Sequence, residues 1–313
     1  MLSLVVAKQH QMERLEEMVL IPSGRYMRGA GAYYPEEGPR VMCSVAPFAI
    51  DRSPVTNSRF SRFVSDTGYV TTAERPVLTQ EGETRAEILA EPGSLVFSAT
   101  PGPVPLHDWR RWWQWVPGAT WRQPAGPGSD INGKADHPVT QVSFSDALAF
   151  AQWAGKRLPT EDEWEYAARG GLDGTTYSWG EALNAGGAYA NTWQGRFPYE
   201  NRGAGTDKWV GTSPVGAFPS NGFGLNDMIG NVWEWTGSPW SPRAGGAVSS
   251  GAVNCCSASA RAPGAVTDRS RVLKGGSHLC APEYCFRYRP AARSEQTEDS
   301  AASHIGFRCA ANV

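Results

Sequence analysis

Two cysteines near the C-terminus, Cys280 and Cys285, stand in the segment KGGSHLCAPEYCFRYRPAAR, residues 274–293. A Gly-Gly turn and Ser277 precede them, and Arg287, Arg289 and Arg293 follow. Several chemistries are open to a C-x4-C pair. It can be buried as ordinary structural cysteine, oxidised to a disulfide, or used as half of a zinc site with two further N/S ligands. As a pair of thiolates it can also hold Cu(I), a soft ion that accepts low coordination numbers. The adjacent pair Cys255-Cys256 has no evident way to converge on the first, which weakens the zinc reading.

Oxygen ligands are the second candidate. Asn191, Asp207 and Glu234 lie in Gly-rich loops where backbone carbonyls could complete the roughly six to eight oxygens of a calcium shell. Asn and Asp are equally ordinary turn residues. The five histidines, His10, His107, His137, His278 and His304, are scattered, with no H-x-x-x-H or H-E-x-x-H spacing. That pattern disfavours a histidine-ligated iron or zinc centre. His304 follows the cysteines closely enough to line the same cleft. No G-x-S-x-G elbow and no phosphate-cradling loop is present, which argues against serine hydrolase and nucleotide chemistry.

The positioning elements are few. Residues 18–29 alternate about a Pro-Ser-Gly turn, as an opening hairpin would, and residues 41–51 read as a second strand. Thr56 caps a helix through Thr67, with Phe60, Phe63 and Val64 on one face and Gly68 at its stop. Residues 74–136 keep no period, yet carry Trp109, Trp112, Trp113, Trp115 and Trp121; they read as an ordered excursion across the surface. Ser143 and Ser145 offer caps for a helix burying Ala147, Phe150, Ala151 and Ala154. Thr160 and Glu163 form a capping box for the next, whose stripe is Trp164, Ala167 and Ala168. Two such helices must cover something, and a small antiparallel sheet fits. Residues 239–267 read as an exposed loop and residues 305–310 as a core strand. No fixed-period repeat occurs.

Composition sets the frame. The 313 residues carry 29 basic and 31 acidic side chains, a formal net charge of -2, so no electrostatic footprint for nucleic acid or an anionic membrane exists. With 35 Gly, 23 Pro and 13 Trp, and only 19% charged residues, the chain suits ordered loops pinned by buried indoles. No run approaches the roughly 18–20 apolar residues of a membrane span. The opening apolar run is too short for a signal peptide, which makes the cytoplasm the expected location, with the six cysteines reduced. Residues 1–17 are expected to be an N-terminal extension and residues 18–313 a single domain that acts as a monomer.

From about residue 18 to 311 the chain resembles the formylglycine-generating enzyme family, the sulfatase-modifying factors. The resemblance rests on MVLIPSGRYMRG, FAIDRSPVTNSRF, TGYVTTAE, HPVTQVSFSDALAFAQWAGKRLPTEDEWEYAARGG, ANTWQGRFP, NGFGLNDMIGNVWEWT and KGGSHLCAPEYCFRYRPAARSEQTEDSAASHIGFRCA. GKRLPTEDEWEYAARGG and GNVWEW mark the broad superfamily, whereas GGSHLCAPEYCFRYRPAAR resembles only members that oxidise sulfatase cysteine. The likeness implies an α+β, C-type-lectin-like fold: one loop-rich domain with small antiparallel sheets and a few helices. It implies Cu(I) on Cys280 and Cys285, with Ser277, Tyr284, Trp235 and His304 lining the pocket for O2 and substrate. It implies one Ca2+ on Asn191, Thr192, Asp207 and Trp209, although the Asn191–Asp207 spacing is about two residues longer than in the family. A second Ca2+ would take Ile229, Gly230, Asn231, Val232 and Glu234. Ala151, Ala168 and Pro290 stand where secreted relatives carry disulfide cysteines, which leaves Cys309 without a partner. The implied activity is oxidation of a cysteine in a C-x-P-x-R motif of an unfolded or nascent sulfatase to Cα-formylglycine with O2. The alternatives are a lectin-like binding module without turnover and an iron-dependent sulfoxide synthase of the same superfamily.

Overall fold

The computed structural model describes residues 17–31, 33–78, 88–182, 189–243 and 269–313. Its strands are short and its sheets small, as the Gly- and Pro-rich composition demands. Strands β1 (Met18–Ile21) and β2 (Gly24–Arg28) do not form the expected opening hairpin. Instead β1 pairs antiparallel with β4 (Phe48–Asp51), and β2 with β3 (Val41–Val45). Pro22-Ser23 sends the chain from one sheet to another. Ala46-Pro47 likewise breaks the expected strand 41–51 into two, because proline cannot donate to a ladder.

Helix α1 (Asn57–Thr67) starts and stops where the sequence predicts. Thr56 Oγ1 accepts from the Arg59 N–H at 3.3 Å, and Gly68 ends the helix at φ +67°. Helix α2 (Phe144–Trp153) is capped by Ser143, with Asp146 completing a capping box; Ser145 is not the cap. Helix α3 (Glu161–Arg169) has the predicted Thr160–Glu163 box and buries Trp164, Ala167 and Ala168 completely. Phe60 and Phe63 of α1 pack on Phe150 of α2, with ring centroids 6.0 and 5.6 Å apart. Trp121 and Phe307 close the same cluster at 5.2 and 5.3 Å. Such rings dominate core energetics by the area they remove from water.

The Trp-rich excursion contains real strands. β5 (Val77–Leu78) pairs with β6 (Ile88–Ala90), and β7 (Gly93–Phe97) forms a hairpin-like pair with β8 (Trp113–Pro117). Trp112 and Trp121 from this stretch are 0% and 1% exposed, so its indoles are core anchors. The main sheet has the order β11 (Arg293–Thr297), β10 (Ser270–Lys274), β9 (Trp233–Pro239), β12 (Ile305–Phe307). β12 runs parallel to β9, while the other neighbours are antiparallel. β13 (Ala310–Asn312) then crosses to the first sheet and pairs with β4. The expected single strand 305–310 is thus split by Arg308 and Cys309, which step between the sheets. Arg308 ties the two together. Its guanidinium donates to both oxygens of Glu234 and to the carbonyls of Asp51, Arg52, Asn226 and Asp227. The 1–17 extension beyond Glu17 and most of the 239–267 loop, including Cys255 and Cys256, lie outside the described residues. No helix among the described residues is long and apolar enough to cross a membrane.

Candidate active site: a cysteine turn held by buried ion pairs

Strand β10 ends at Lys274 and feeds Gly275 and Gly276, at φ +97° and +72°. A Cβ on Gly275 would meet the Met228 carbonyl and the Trp164 indole at about 3 Å; one on Gly276 would meet the Arg287 carbonyl and Tyr288 backbone. Only glycine tolerates both the backbone region and the space. The chain then turns tightly. The Cys280 N–H donates to the Ser277 carbonyl at 2.9 Å, and the Cys285 N–H to the Ala281 carbonyl at 2.7 Å. These two turns bring the Cys280 and Cys285 sulfurs to 2.9 Å from one another. A covalent disulfide is about 2.05 Å long, so the two are not bonded to each other. Cys280 is a free thiol, whereas Cys285 is in the disulfide form. Cys285 becomes a thiolate ligand only after its disulfide is reduced, and Cys280 only after its thiol loses the proton.

Each sulfur is buried, at 1% and 2% exposure. Desolvation pushes the Cys280 thiol up to about 11, against the Ser277 N–H, which donates to its Sγ at 3.3 Å, and the Arg287 charge. Ser277 is fully buried, and its hydroxyl accepts from the Leu279 N–H at 3.2 Å. Tyr284 lies within the second turn; its ring stacks on Phe197 at 4.5 Å and meets the Trp112 edge at 5.3 Å. His278 and Leu279, inside the first turn, line a cavity of about 480 Å3 together with Phe97, Trp193, Asp130 and Lys134. His278 Nδ1 is 2.8 Å from the Asn231 carbonyl, which can only accept, so the ring proton sits on Nδ1.

Burial drives the His304 pKa down to about 3, and the nearby His278 charge lowers it further. Its ring packs on Trp113 at 4.6 Å, and neither ring nitrogen has a hydrogen-bond partner among the described residues. Trp235 sits elsewhere. Its indole N–H donates to the Val142 carbonyl at 3.0 Å and its ring packs on Phe144, in the core of β9.

The three arginines after the cysteines are structural. Arg287 pairs with Glu36, Arg289 with both oxygens of Glu37 at 2.6 and 2.8 Å, and Arg293 with Glu161. Arg289 also lies 4.0 Å over the Tyr33 ring, and the Tyr34 hydroxyl accepts from the Phe286 N–H. Residues 33–37 therefore clamp the turn from outside. Behind it, burial opposes ionisation of Glu165, but Lys274, Arg169 and Arg243 outweigh burial and hold the carboxyl down to about 2. Glu36 and Glu37 gave no sequence signal beyond a turn; only their distance in space from the arginines reveals the role.

Of the expected calcium ligands, Asn191 of the first set meets Gly230 and Asn231 of the second. Asn191 bridges to Gly230, and the Asn231 N–H donates to the Asn191 carbonyl at 2.8 Å. In the first set, Asn191 Oδ1 is buried without a hydrogen-bond partner, which suits a cation ligand. The Thr192 carbonyl accepts from Gln194, the Trp209 carbonyl from Ala204, and Asp207 stands exposed at the loop tip. Of this set only Asn191 Oδ1 is left without a partner for a hard cation. The second set does not fit as expected. Both Glu234 oxygens are taken by the Arg308 guanidinium, and Oε2 also accepts from Trp164. The Asn231 side chain is bonded to Ser213 and Asp227, while Ile229, Gly230 and Val232 follow the turn between them. A second buried carboxylate near this turn is Asp227, which the sequence did not point to. Burial raises its pKa to about 6, and it accepts from the Gly216 N–H.

A sequence model for the sulfatase-modifying factor enzyme 1-like domain matches residues 4–313. The chain belongs to that family. It is 56% identical over 301 residues to the formylglycine-generating enzyme of Mycobacterium tuberculosis, covering 95% of this chain and 98% of that one. It is 41% identical to the Mus musculus formylglycine-generating enzyme, over 95% of this chain and 76% of the relative. It is also 40% identical to the inactive C-alpha-formylglycine-generating enzyme 2 of Mus musculus, over 95% of this chain and 86% of that one. Among solved structures, PvdO from Pseudomonas aeruginosa shares the fold at TM-score 0.57 and 24% identity, covering 95% and 94% of the two chains. The family thus has the expected α+β, loop-rich single domain. The two Mus musculus relatives, one of them inactive, sit at nearly equal distance, so global identity does not decide activity and the site residues must.

Proposed function

We propose that the protein is an enzyme that converts the cysteine of a C-x-P-x-R sequence in an unfolded or nascent sulfatase to Cα-formylglycine, using O2. The observation that carries this reading is the convergence of the Cys280 and Cys285 sulfurs at 2.9 Å, in a turn beside an open cavity. Cu(I) fits this donor set, since two buried sulfurs suit a soft monovalent ion; when bound, it would supply the centre for reduction of O2. Cys280 keeps its proton on Sγ until a cation displaces it, because burial holds the thiol near 11. The Ser277 N–H fixes the direction of that sulfur. Tyr284, stacked on Phe197, is a rigid wall, and the cavity floored by His278 and Leu279 takes an extended peptide and excludes water from its cysteine. A hard cation such as Ca2+ at Asn191 would pin the neighbouring loops. A monomer working in a reducing cytoplasm would keep Cys43 and Cys309 free, as they are here, and would hold Cys285 reduced as well.

The test is direct. Reduced protein, Cu(I) and a C-x-P-x-R peptide are incubated in air, and the peptide is weighed by mass spectrometry for loss of sulfur and gain of the aldehyde. An unchanged peptide with copper bound would reject the reading. A binding module without turnover is the second reading, favoured by the 40% identity to the inactive relative; retained peptide binding with no aldehyde would establish it.

A further inference from the structure

The reaction proposed above needs two electrons that the substrate does not supply. Balanced, one substrate thiol, one O2, two electrons and two protons give one aldehyde, one hydrogen sulfide and one water. A thiol reductant provides the electrons: two of its molecules join as a disulfide and release two electrons and two protons. A peptide seated in the cavity at His278 and Leu279 would compete with the reductant for that opening. The sulfurs themselves are at most 2% exposed.

Another side of the molecule offers a route. Tyr189 is 43% exposed and stacks on Trp179, centroids 5.6 Å apart and planes 15° from parallel. Trp179 stacks on Tyr177 at 4.8 Å and 6°, and Tyr177 on Tyr288 at 6.1 Å and 15°. Tyr288 is buried and its backbone lies against Gly276 of the cysteine turn; burial opposes ionisation of its hydroxyl, and nearby Cys280 adds to that. All four rings are of types that one-electron oxidation reaches, and electron transfer falls off exponentially with distance, so near-parallel stacking favours it. The rings on the other side of the turn do not make such a path. Trp112, beside Tyr284, is fully buried, and its onward neighbour Phe197, like Phe97 beyond it, is a phenylalanine, a poor electron donor. The outer end of the stack also opens on its own cavity. Trp179 and Tyr189 line one of about 160 Å3 with Asn221 and Asp227, and it shares no residue with the cavity at His278.

We propose that the stack Tyr189–Trp179–Tyr177–Tyr288 carries electrons from a thiol reductant at the surface to the cysteine turn, separately from the peptide cleft. This rests on the oxidase reading for its purpose, but not for its test. In the reduced, metal-free protein, a flash-oxidised soluble ruthenium complex withdraws one electron from the surface end. Wild type should show a transient tryptophanyl or tyrosyl radical followed by oxidation of Cys280, mapped by peptide mass analysis. Trp179→Phe and Tyr177→Phe, which keep an aromatic ring at each position, should cut Cys280 oxidation several-fold, and Trp179→Tyr should restore it. Equal Cys280 oxidation in wild type and both phenylalanine variants, with unchanged melting temperatures, would overturn the relay. Turnover adds an independent arm. The phenylalanine variants should lose steady-state rate several-fold at limiting thiol while the peptide KM holds. Failure of wild type to form aldehyde would count against the oxidase reading alone, since the flash experiment still decides the relay.

Discussion

The cysteine turn and the phenylalanine cluster beneath α1 and α2 are both sealed from water, yet they are held by opposite means. Around Phe60, Phe63, Phe150 and Phe307 the stabilisation is apolar area, which is non-directional and tolerant of small shifts. Around Cys280 and Cys285 it is a ring of buried charge: Arg287 on Glu36, Arg289 on Glu37, Arg293 on Glu161, Lys274 on Glu165. Buried ion pairs contribute little net stability, because desolvation offsets the attraction, but each fixes an angle. The chain uses oil where only burial matters and charge where geometry matters.

Experiments can break that contrast. The largest expected effect is on chemistry: Cys280→Ala or Cys285→Ala should abolish aldehyde formation while leaving the melting temperature within a few degrees, read by peptide mass analysis and calorimetry. Next, Glu37→Gln strands Arg289 and should cost about 3–5 kcal/mol in denaturant unfolding. The double change Glu37→Gln with Arg289→Met should recover much of that stability but not the rate, if geometry is what the pair provides. In the cluster, Phe150→Ala should cost a similar ~3–5 kcal/mol, yet the folded fraction should keep its kcat. Equal loss of kcat in both regions would erase the distinction.

A smaller effect separates the oxygen cluster from both regions. Asp227 holds its proton more tightly folded than unfolded, so its contribution favours the folded state below about pH 4 and fades as pH rises through about 6. Asp227→Asn should therefore stabilise the metal-free protein at neutral pH, by up to about 3 kcal/mol, and change little in acid. Added Ca2+ should shrink that gain if a cation occupies the cluster; denaturant melts at the two pH values, with and without Ca2+, read both. Smallest is Thr160→Ala, about 1 kcal/mol from a lost helix cap, with activity intact.

Local chemistry was legible in the chain. Thr56 with Gly68, and Thr160 with Glu163, carry their partners within a few residues, so the helix ends followed from sequence. The Gly-Gly-Ser-x-x-Cys turn did as well, because its hydrogen bonds span three or four residues. Partners far apart in sequence were not legible. β1 and β2 looked like a hairpin because alternation shows strands and not which strand pairs with which. Glu234 looked like a cation ligand until Arg308, 74 residues on, was seen to occupy it.

What the sequence determined alone is the set of short-range commitments: helix caps, the cysteine turn, the absence of long apolar runs, and the family likeness those motifs carry. What only the tertiary structure decided is which charges neutralise one another and which rings touch. Ion pairs such as Arg289 with Glu37 and stacks such as Tyr177 with Tyr288 join residues over a hundred positions apart. Their energy depends on separation in space and on exclusion of water, and neither is written in the order of residues along the chain.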